Sequence, residues 1–164
     1  KQVLFERITA PAAKEGFPIK NCLRLDEGCY SPLEQAERYT LLLDLKQESL
    51  IDKVVLQEDT RYSQRVEAFT IEAWIGDSWK QVYKGTVIGF QKIALFRVIL
   101  TRKLKITINS CRKEPYLRSV QVFESDGTTV KTPKTRWLRK KAEEMNNRLF
   151  HLAKAQKAVK KSVK

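Results

Sequence analysis

The chain is 164 residues long, 42% of them hydrophobic and 31% charged, and it carries a formal net charge of +13. A chain of this length and composition can build one packed domain that buries roughly 70% of its unfolded surface. No apolar run approaches the ~20 residues that cross a bilayer, so the sequence excludes a membrane-spanning helix.

The first half of the chain predicts loops followed by strands. Residues 1–36 are interrupted by three prolines and two glycines, so we expect mostly loop there, with one edge strand near residues 3–8. Large apolar residues then alternate with their neighbours from Tyr39 to Leu45, which predicts a half-buried strand. Val54–Glu58 is predicted as a separate strand that pairs beside it.

The centre of the chain predicts a β-hairpin. Apolar residues alternate from Phe69 to Ile75, Gly76-Asp77 interrupts the pattern, and apolar residues resume at Trp79. Two residues of this type between alternating runs are typical of a tight hairpin turn. Trp74 and Trp79 flank the turn, and we expect them to pack as cross-strand partners, although both are also exposed candidates for ligand contact.

Three further strands are predicted, at residues 86–88, 104–109 and 117–124. Short strands at this spacing are typical of an all-β sandwich. They argue against a nucleotide-binding α/β enzyme.

The positive charge is concentrated at the end of the chain. Residues 131–164 contain 12 lysines and arginines and only two acidic residues, whereas residues 1–130 contain 20 basic and 17 acidic residues. We therefore expect two parts, a β-sandwich domain over residues 1–127 and a basic tail over residues 128–164.

The tail has the apolar period of a helix from about Lys134. Its apolar seam is expected to contact a neighbouring protein subunit or the sandwich, and consists of Leu138, Met145, Leu149 and Leu152. Its basic residues are candidates for binding RNA phosphates without base discrimination. They are Arg136, Arg139, Lys140, Lys141, Arg148, Lys154, Lys157, Lys160 and Lys161. A solvated tail without a partner is the plain alternative.

The cysteines and histidine give no metal-binding pattern. Cys22, Cys29 and Cys111 contain no C-x-x-C spacing, and His151 is the single histidine. We therefore predict neither a metal site nor a cofactor. An odd number of cysteines favours buried thiols in a reducing compartment, with a Cys22–Cys29 bridge as the open alternative.

Four segments carry a resemblance to a known family. They are LDLKQESLIDKVVLQED, QRVEAFTIEAW, WKQVYKGTVIGFQKIALF and YLRSVQVFE. In the same order, these segments resemble the C-terminal module of the α-L-fucosidase family, over residues 21–126. The resemblance implies an all-β fold, a galactose-binding-like (discoidin or coagulation-factor C-type) jelly-roll β-sandwich. The basic α-helical extension would follow it.

The resemblance implies a non-catalytic chain, because the hydrolytic carboxylates of that family belong to a separate and larger barrel domain. Glycoside hydrolysis needs two facing carboxyl groups. Glu58 and Asp59 are adjacent at a strand end, so their side chains should point to opposite sides. We expect both at a solvated junction between strand and loop.

The resemblance also implies a glycan site in the loops at one end of the sandwich, where related modules use an aromatic platform beside Arg and acidic groups. The corresponding candidates are Asp26 and Tyr30 in the first loop, together with Tyr62 and Arg65. The family commonly has a Trp directly after the tyrosine that matches Tyr30, whereas this chain has Ser31 there.

Two hypotheses for function follow. In the first, the chain is a non-catalytic subunit of an intracellular, ribosome-like assembly such as that of the mitochondrion, anchored by its tail to ribosomal RNA and by its sandwich to neighbouring proteins. In the second, it is a carbohydrate-binding accessory module of an α-L-fucosidase-like glycosidase, secreted or lysosomal. The tail separates them, because phosphate anchoring requires residues 154–164 and glycan binding does not.

Overall fold

Seven antiparallel β-strands form the regular structure of residues 1–23 and 28–126, the part of the chain that the computed structural model describes. The two longest strands contain 20 residues each. The strands are β1 Gln2–Val3, β2 Phe5–Thr9, β3 Tyr39–Glu58, β4 Val66–Ile75, β5 Ser78–Gly85, β6 Lys92–Cys111 and β7 Leu117–Glu124. Two short 3₁₀ turns, Ile19–Leu23 and Thr60–Tyr62, lie in the connections.

The long strands β3 and β6 pair with each other and break register together. Asp44 pairs with Lys103, and pairing resumes only at Ser49 with Thr101. Irregularities of this kind bend a strand and increase its twist. The polar stretch of β3 between Leu45 and Ser49 therefore marks the point at which both strands pass from one layer to the other.

Each layer is built around one half of the two long strands. The first half of β3 lies between β2 and the second half of β6, which also pairs with β4 and through it with β5. The second half of β3 lies between β7 and the first half of β6, and β1 pairs with β7. The result is an antiparallel β-sandwich whose layers share β3 and β6.

The inward faces of both layers supply one core. Leu41, Leu43 and Leu45 on β3 are fully buried, and their partners on β6, Leu104 and Ile106, are buried with them. Alternation at a period of two sends these side chains to the same face. Each buried side chain of this size contributes roughly 1.5–3 kcal/mol of transfer free energy.

The predicted hairpin is confirmed as β4 and β5. Ile75 pairs with Ser78 across the Gly76-Asp77 turn, and Gly76 has φ +62°, a value that glycine adopts without steric cost. Trp74 lies opposite Trp79, and their rings meet edge to face with centroids 5.3 Å apart. The expected cross-strand tryptophan pair is therefore confirmed.

Three strand predictions need correction. Tyr39–Leu45 and Val54–Glu58 belong to one strand, because the backbone stays extended through the polar bend although its pairing with β6 is interrupted there. Residues 86–88 are not a strand, although Ile88 is buried in the core. The predicted N-terminal edge strand is divided into β1 and β2.

The tail lies outside the described residues. The predicted helix of residues 128–164, its apolar seam and its basic residues all fall there, as does the domain boundary at residue 127. Within residues 1–23 and 28–126, the structure contains no helix long and apolar enough to span a membrane.

A matched pair of leucines on β6 tests the core. Leu104→Ala should lower the free energy of unfolding by about 2–5 kcal/mol, because it leaves a cavity in the shared core. Leu95→Ala should change it by less than about 0.5 kcal/mol, because the side chain is 60% exposed. Urea unfolding of the full chain measures both, and equal losses would contradict this description of the core.

Candidate functional site

The long bent strands bring their own ends together at one end of the sandwich. The first residue of β6, Lys92, lies beside Leu56, near the end of β3. The last residue of β6, Cys111, lies opposite Val66, whose N–H binds Glu58. The connections that follow β2, β3, β5 and β6 therefore gather at this loop end, and the strand bends and the Gly76-Asp77 turn lie at the opposite, bend end.

Three aromatic rings from three different connections meet at the loop end, and we call them the tyrosine shelf: Phe17, Tyr62 and Tyr116. The rings of Tyr62 and Tyr116 are stacked, with centroids 4.1 Å apart and planes 12° from parallel. Phe17 meets both edge to face, at 5.8 Å and 5.2 Å. Tyr116 is 9% exposed and Tyr62 is 37% exposed. One face of Tyr62 is thus covered, and the ring is left partly open to solvent.

Charged side chains surround the shelf. Arg65 lies over the Tyr116 ring, 4.8 Å from its centroid, and donates from Nε to the Tyr62 carbonyl at 2.9 Å. Its Nη1 also donates to the Glu114 carbonyl at 2.9 Å. The Glu114 carboxylate is paired with the Lys14 ammonium, and this hydrogen bond is the main reason that the pKa of Glu114 is lowered and that of Lys14 is raised.

A buried carboxylate holds the connection that carries Tyr62. Glu58 ends β3 and is 2% exposed. Its Oε1 accepts from the N–H groups of Arg65 at 2.8 Å and Val66 at 3.0 Å, and its Oε2 accepts from the N–H of Gly89 at 2.8 Å. Three N–H donors compensate the cost of burying the side chain. These hydrogen bonds also connect the start of β4 to the turn at Gly89, which leads to β6.

The next residue, Asp59, caps the 3₁₀ turn of the same connection. It is 1% exposed and accepts from the Arg61 N–H at 3.2 Å, from Nε at 2.9 Å and from Nη2 at 2.6 Å. The hydrogen bonds from the Arg61 side chain are the main cause of the lowered pKa of Asp59, and burial opposes them. The backbone N–H of Asp59 also donates to the Tyr116 carbonyl at 2.8 Å, which links two of the shelf connections.

Ser63, next to Tyr62, has φ +68° and ψ 160°. This conformation is rare for a residue with a side chain, and such residues concentrate at ligand-binding sites. Its N–H donates to the Thr60 carbonyl at 3.0 Å. The surrounding hydrogen bonds thus fix the turn that presents Tyr62.

A shallow groove of about 580 Å³ lies at the end of β6 and before the start of β3. Amide, hydroxyl and charged side chains dominate its lining, which is of a kind that can hydrogen-bond sugar hydroxyls. The lining residues are Gln35, Ala36, Glu37, Arg38, Asn109, Ser110 and Cys111.

The structure brings two predicted glycan residues together and separates a third from them. Tyr62 and Arg65 are joined at the shelf. Tyr30 is fully buried, its O–H donates to the Pro11 carbonyl at 2.9 Å, and its backbone pairs with Leu117. Its expected exposure is therefore corrected to a core position, where its ring supports packing. Asp26 lies in residues 24–27, outside the described ranges.

One expectation about the carboxylates is wrong. Glu58 and Asp59 were expected at a solvated junction, but both are buried and hydrogen-bonded.

The cysteines agree with the favoured interpretation. Cys22 and Cys29 are buried free thiols, and burial raises the pKa of Cys22 to about 12 and that of Cys29 to about 11. Residues 1–23 and 28–126 contain no cluster of His, Cys, Asp and Glu that could hold a metal ion.

Five residues of the site were missed by the sequence interpretation: Lys14, Phe17, Arg61, Glu114 and Tyr116. The pair of Lys14 and Glu114 is separated by 100 positions in the chain. A local pattern cannot reveal such a contact, because only the folded topology brings the two connections together. The aromatic composition of the loops was the one available signal.

Glu58→Gln should show how strongly the buried carboxylate holds the loop end. Hydrogen bonds to a charged group contribute about 1.5–3 kcal/mol each, so we expect a loss of about 3 kcal/mol in the free energy of unfolding. Glu48→Gln, at an exposed position of β3, is the control and should change it by less than about 0.5 kcal/mol. Urea unfolding measures the loss of free energy of unfolding in each variant, and similar losses in both would refute the role of Glu58.

The lowered pKa of Asp59 predicts a pH dependence. The pKa of an unfolded Asp is about 3.9, and the folded pKa lies below it. The ionised carboxylate therefore stabilises the fold above about pH 4, and this contribution is lost as the pH falls through the lower folded pKa. Asp59→Asn should be less stable than the wild type at pH 7, and the difference should shrink on acidification. A difference that stays constant from neutral to acid pH, measured by urea unfolding, would contradict this assignment.

The curated proteins to which this chain is similar are α-L-fucosidases. No family model matches the chain. A candidate α-L-fucosidase of rice (Oryza sativa subsp. japonica) is 31% identical over 102 residues, which are 60% of this chain and 20% of the rice protein. The chain thus spans about a fifth of that relative.

Solved structures with a similar fold include an α-L-fucosidase-type protein chain and a carbohydrate-binding module. The crystal structure of SpGH29 matches with a TM-score of 0.71 at 19% identity, over 77% of this chain and 28% of that one. The CBM32 of AlyQ, solved in complex with 4,5-unsaturated mannuronic acid, matches with a TM-score of 0.62 at 19% identity, over 76% of this chain and 99% of that one. The resemblance predicted from the sequence is therefore confirmed: the described part of the chain has the galactose-binding-like β-sandwich fold, and the chain is similar to α-L-fucosidases.

Proposed function

We propose that this chain is a non-catalytic glycan-binding module and that the open face of Tyr62 stacks against a pyranose ring. The half-exposed Tyr62 on the covered Tyr116 is the observation that carries this proposal. An aromatic ring held rigidly by its neighbours loses little conformational entropy when a sugar binds to it. The buried Glu58 and Asp59 keep its connection in place.

The comparisons support the same proposal. The CBM32 of AlyQ was solved with a sugar acid bound, and the rice relative is named as a candidate α-L-fucosidase. A glycan-binding accessory role in a fucosidase-like protein, secreted or lysosomal, agrees with both names. The sandwich would then hold the glycan, and a separate catalytic domain would cleave it.

The carboxylates of the loop end favour a non-catalytic role. Glu58 and Asp59 are buried and occupied by N–H donors, and Glu114 is paired with Lys14. Hydrolysis of a glycosidic bond requires one carboxyl group to donate a proton and another to act as nucleophile or base. Carboxylates already committed to structural hydrogen bonds are poorly suited to either task.

RNA anchoring remains a hypothesis that rests on the charge of residues 128–164. Those residues are outside the described ranges, and the family similarity favours the glycan hypothesis. The division at residue 127 and the helical nature of the basic tail likewise stay predictions. The tail is compatible with a glycan-binding sandwich, because the two functions would use different parts of the chain.

Replacing Tyr62 tests the proposal. Full-length protein is screened on a glycan array, and the affinity of the best ligand is measured by calorimetry. Tyr62→Ala should weaken binding at least tenfold, about 1.4 kcal/mol, whereas Tyr62→Phe should retain most of it because the ring remains. Trp74→Ala is the control. Trp74 is 38% exposed, as much as Tyr62, but it lies beside the Gly76-Asp77 turn at the bend end, away from the shelf. Unchanged binding by Tyr62→Ala, or equal losses in both alanine variants, would overturn the proposal.

A further inference from the structure

We infer that the tyrosine shelf selects an anionic glycan, one that carries a carboxylate or sulfate group, and that Arg61 binds this group while the sugar ring lies on Tyr62. The inference rests on the proposed glycan-binding function and adds the chemical class of the ligand.

Arg61 is held in an unusual way for a surface arginine. Its side chain is 72% exposed, yet it is anchored by two hydrogen bonds to Asp59, which is 1% exposed. This pairing uses Nε and Nη2 of the guanidinium and fixes its plane. Nη1 forms no hydrogen bond with the part of the chain that the structure describes, and it is available for a further acceptor. An arginine fixed in advance loses less entropy when it binds an oxyanion than a freely rotating one.

The position of Arg61 relates it directly to the sugar platform. Arg61 precedes Tyr62 within the same 3₁₀ turn, Thr60–Tyr62. The turn is capped by Asp59, and the Tyr62 N–H donates to the Asp59 carbonyl at 3.0 Å. Guanidinium and aromatic ring are therefore fixed to each other through one short segment of backbone.

The charges around the shelf favour a negative ligand. Among residues 1–23 and 28–126, three cations at the shelf, Lys14, Arg61 and Arg65, face two carboxylates, Asp59 and Glu114. Glu114 is shared between Lys14 and the Arg65 guanidinium, whose Nη1 lies 3.7 Å from Glu114 Oε1. Each of these carboxylates is already neutralised by a cation, so neither is left to repel an incoming anion.

The same pairing disfavours a neutral sugar. Sugar hydroxyls need acceptors as well as donors, and carboxylates are the strongest side-chain acceptors. Here the oxygens of Glu58 and Asp59 are buried and already accept from N–H groups. The exposed Arg61 offers donors in the planar arrangement that suits a carboxylate or sulfate.

The test compares acidic glycans with their neutral counterparts on the full-length protein. The probes are oligogalacturonate, oligomannuronate and chondroitin sulfate, each beside its carboxyl-reduced or desulfated form. At least one acidic form should bind ten or more times more tightly than its neutral form. Raising NaCl from about 0.05 M to about 0.5 M should weaken that binding, because salt screens exposed charges.

Variants assign the preference to Arg61. Arg61→Gln should lose the tenfold preference for the acidic form, and Arg61→Lys, which keeps the charge without the guanidinium group that Asp59 orients, should retain part of it. Arg97→Gln removes an exposed arginine of β6 outside the shelf and should change nothing. The comparison of ligands on the wild type remains decisive if Arg61→Gln does not fold.

The outcomes separate this inference from the proposed function. If neutral glycans bind as tightly as acidic ones and Tyr62→Ala abolishes both, the anionic selectivity is refuted and the glycan-binding function stands. If a neutral glycan from the array binds and none of the acidic probes does, the inference fails in the same way. If neither acidic nor neutral glycans bind, both are overturned.

Discussion

The Glu58 carboxylate is the interaction on which the geometry of the loop end depends. It lies at the end of β3 and accepts three backbone N–H groups, from Arg65, Val66 and Gly89. These groups belong to the start of β4, the residue before it and the turn that leads to β6. A neutral side chain could not satisfy three donors as strongly, and an unpaired carboxylate could not be buried there. One residue thus connects the sandwich to the loop that carries Tyr62.

The bend in β3 and β6 decides where the loops are. Because each of these strands contributes to both layers, its two ends return to the same end of the sandwich. In the described residues, the bend end contains the bent strands, one tight turn and the two ends of the sandwich, whereas the loop end collects the longer connections. This arrangement separates the part of the molecule that provides stability from the part that is free to carry side chains for binding.

The sequence was informative where a short period fixes the structure. Alternation predicted the first half of β3, β4 and the second half of β6, because a period of two has one structural solution when one face is buried. It divided β3 into two strands, because the polar residues of the bend interrupt the alternation while the backbone stays extended. Residues 86–88 were predicted as a strand because they are three β-branched residues between two glycines, but in the structure they form a connection with Ile88 buried in the core.

The site was predictable only in its local part. Tyr62 and Arg65 lie within one short connection, and the family resemblance pointed to both of them. Tyr116, by contrast, comes from a connection more than fifty positions away, and stacking on Tyr62 depends on how β3, β6 and β7 are ordered in the sheet. Tyr30 shows the converse limit, since a matching position in a family does not reveal whether its ring faces solvent or the core.

The two ends of the described sandwich lie side by side, far from the shelf. Gln2 pairs with Phe123, and the Glu124 N–H donates to the Lys1 carbonyl at 2.8 Å. The Ser125 N–H donates to the carbonyl of Leu50, where β3 leaves the bend. A protein immobilised through residue 1 on a sensor surface would therefore present Tyr62 toward the solution. Measurements of weak sugar binding on such a surface would then need no correction for protein whose binding site faces the support.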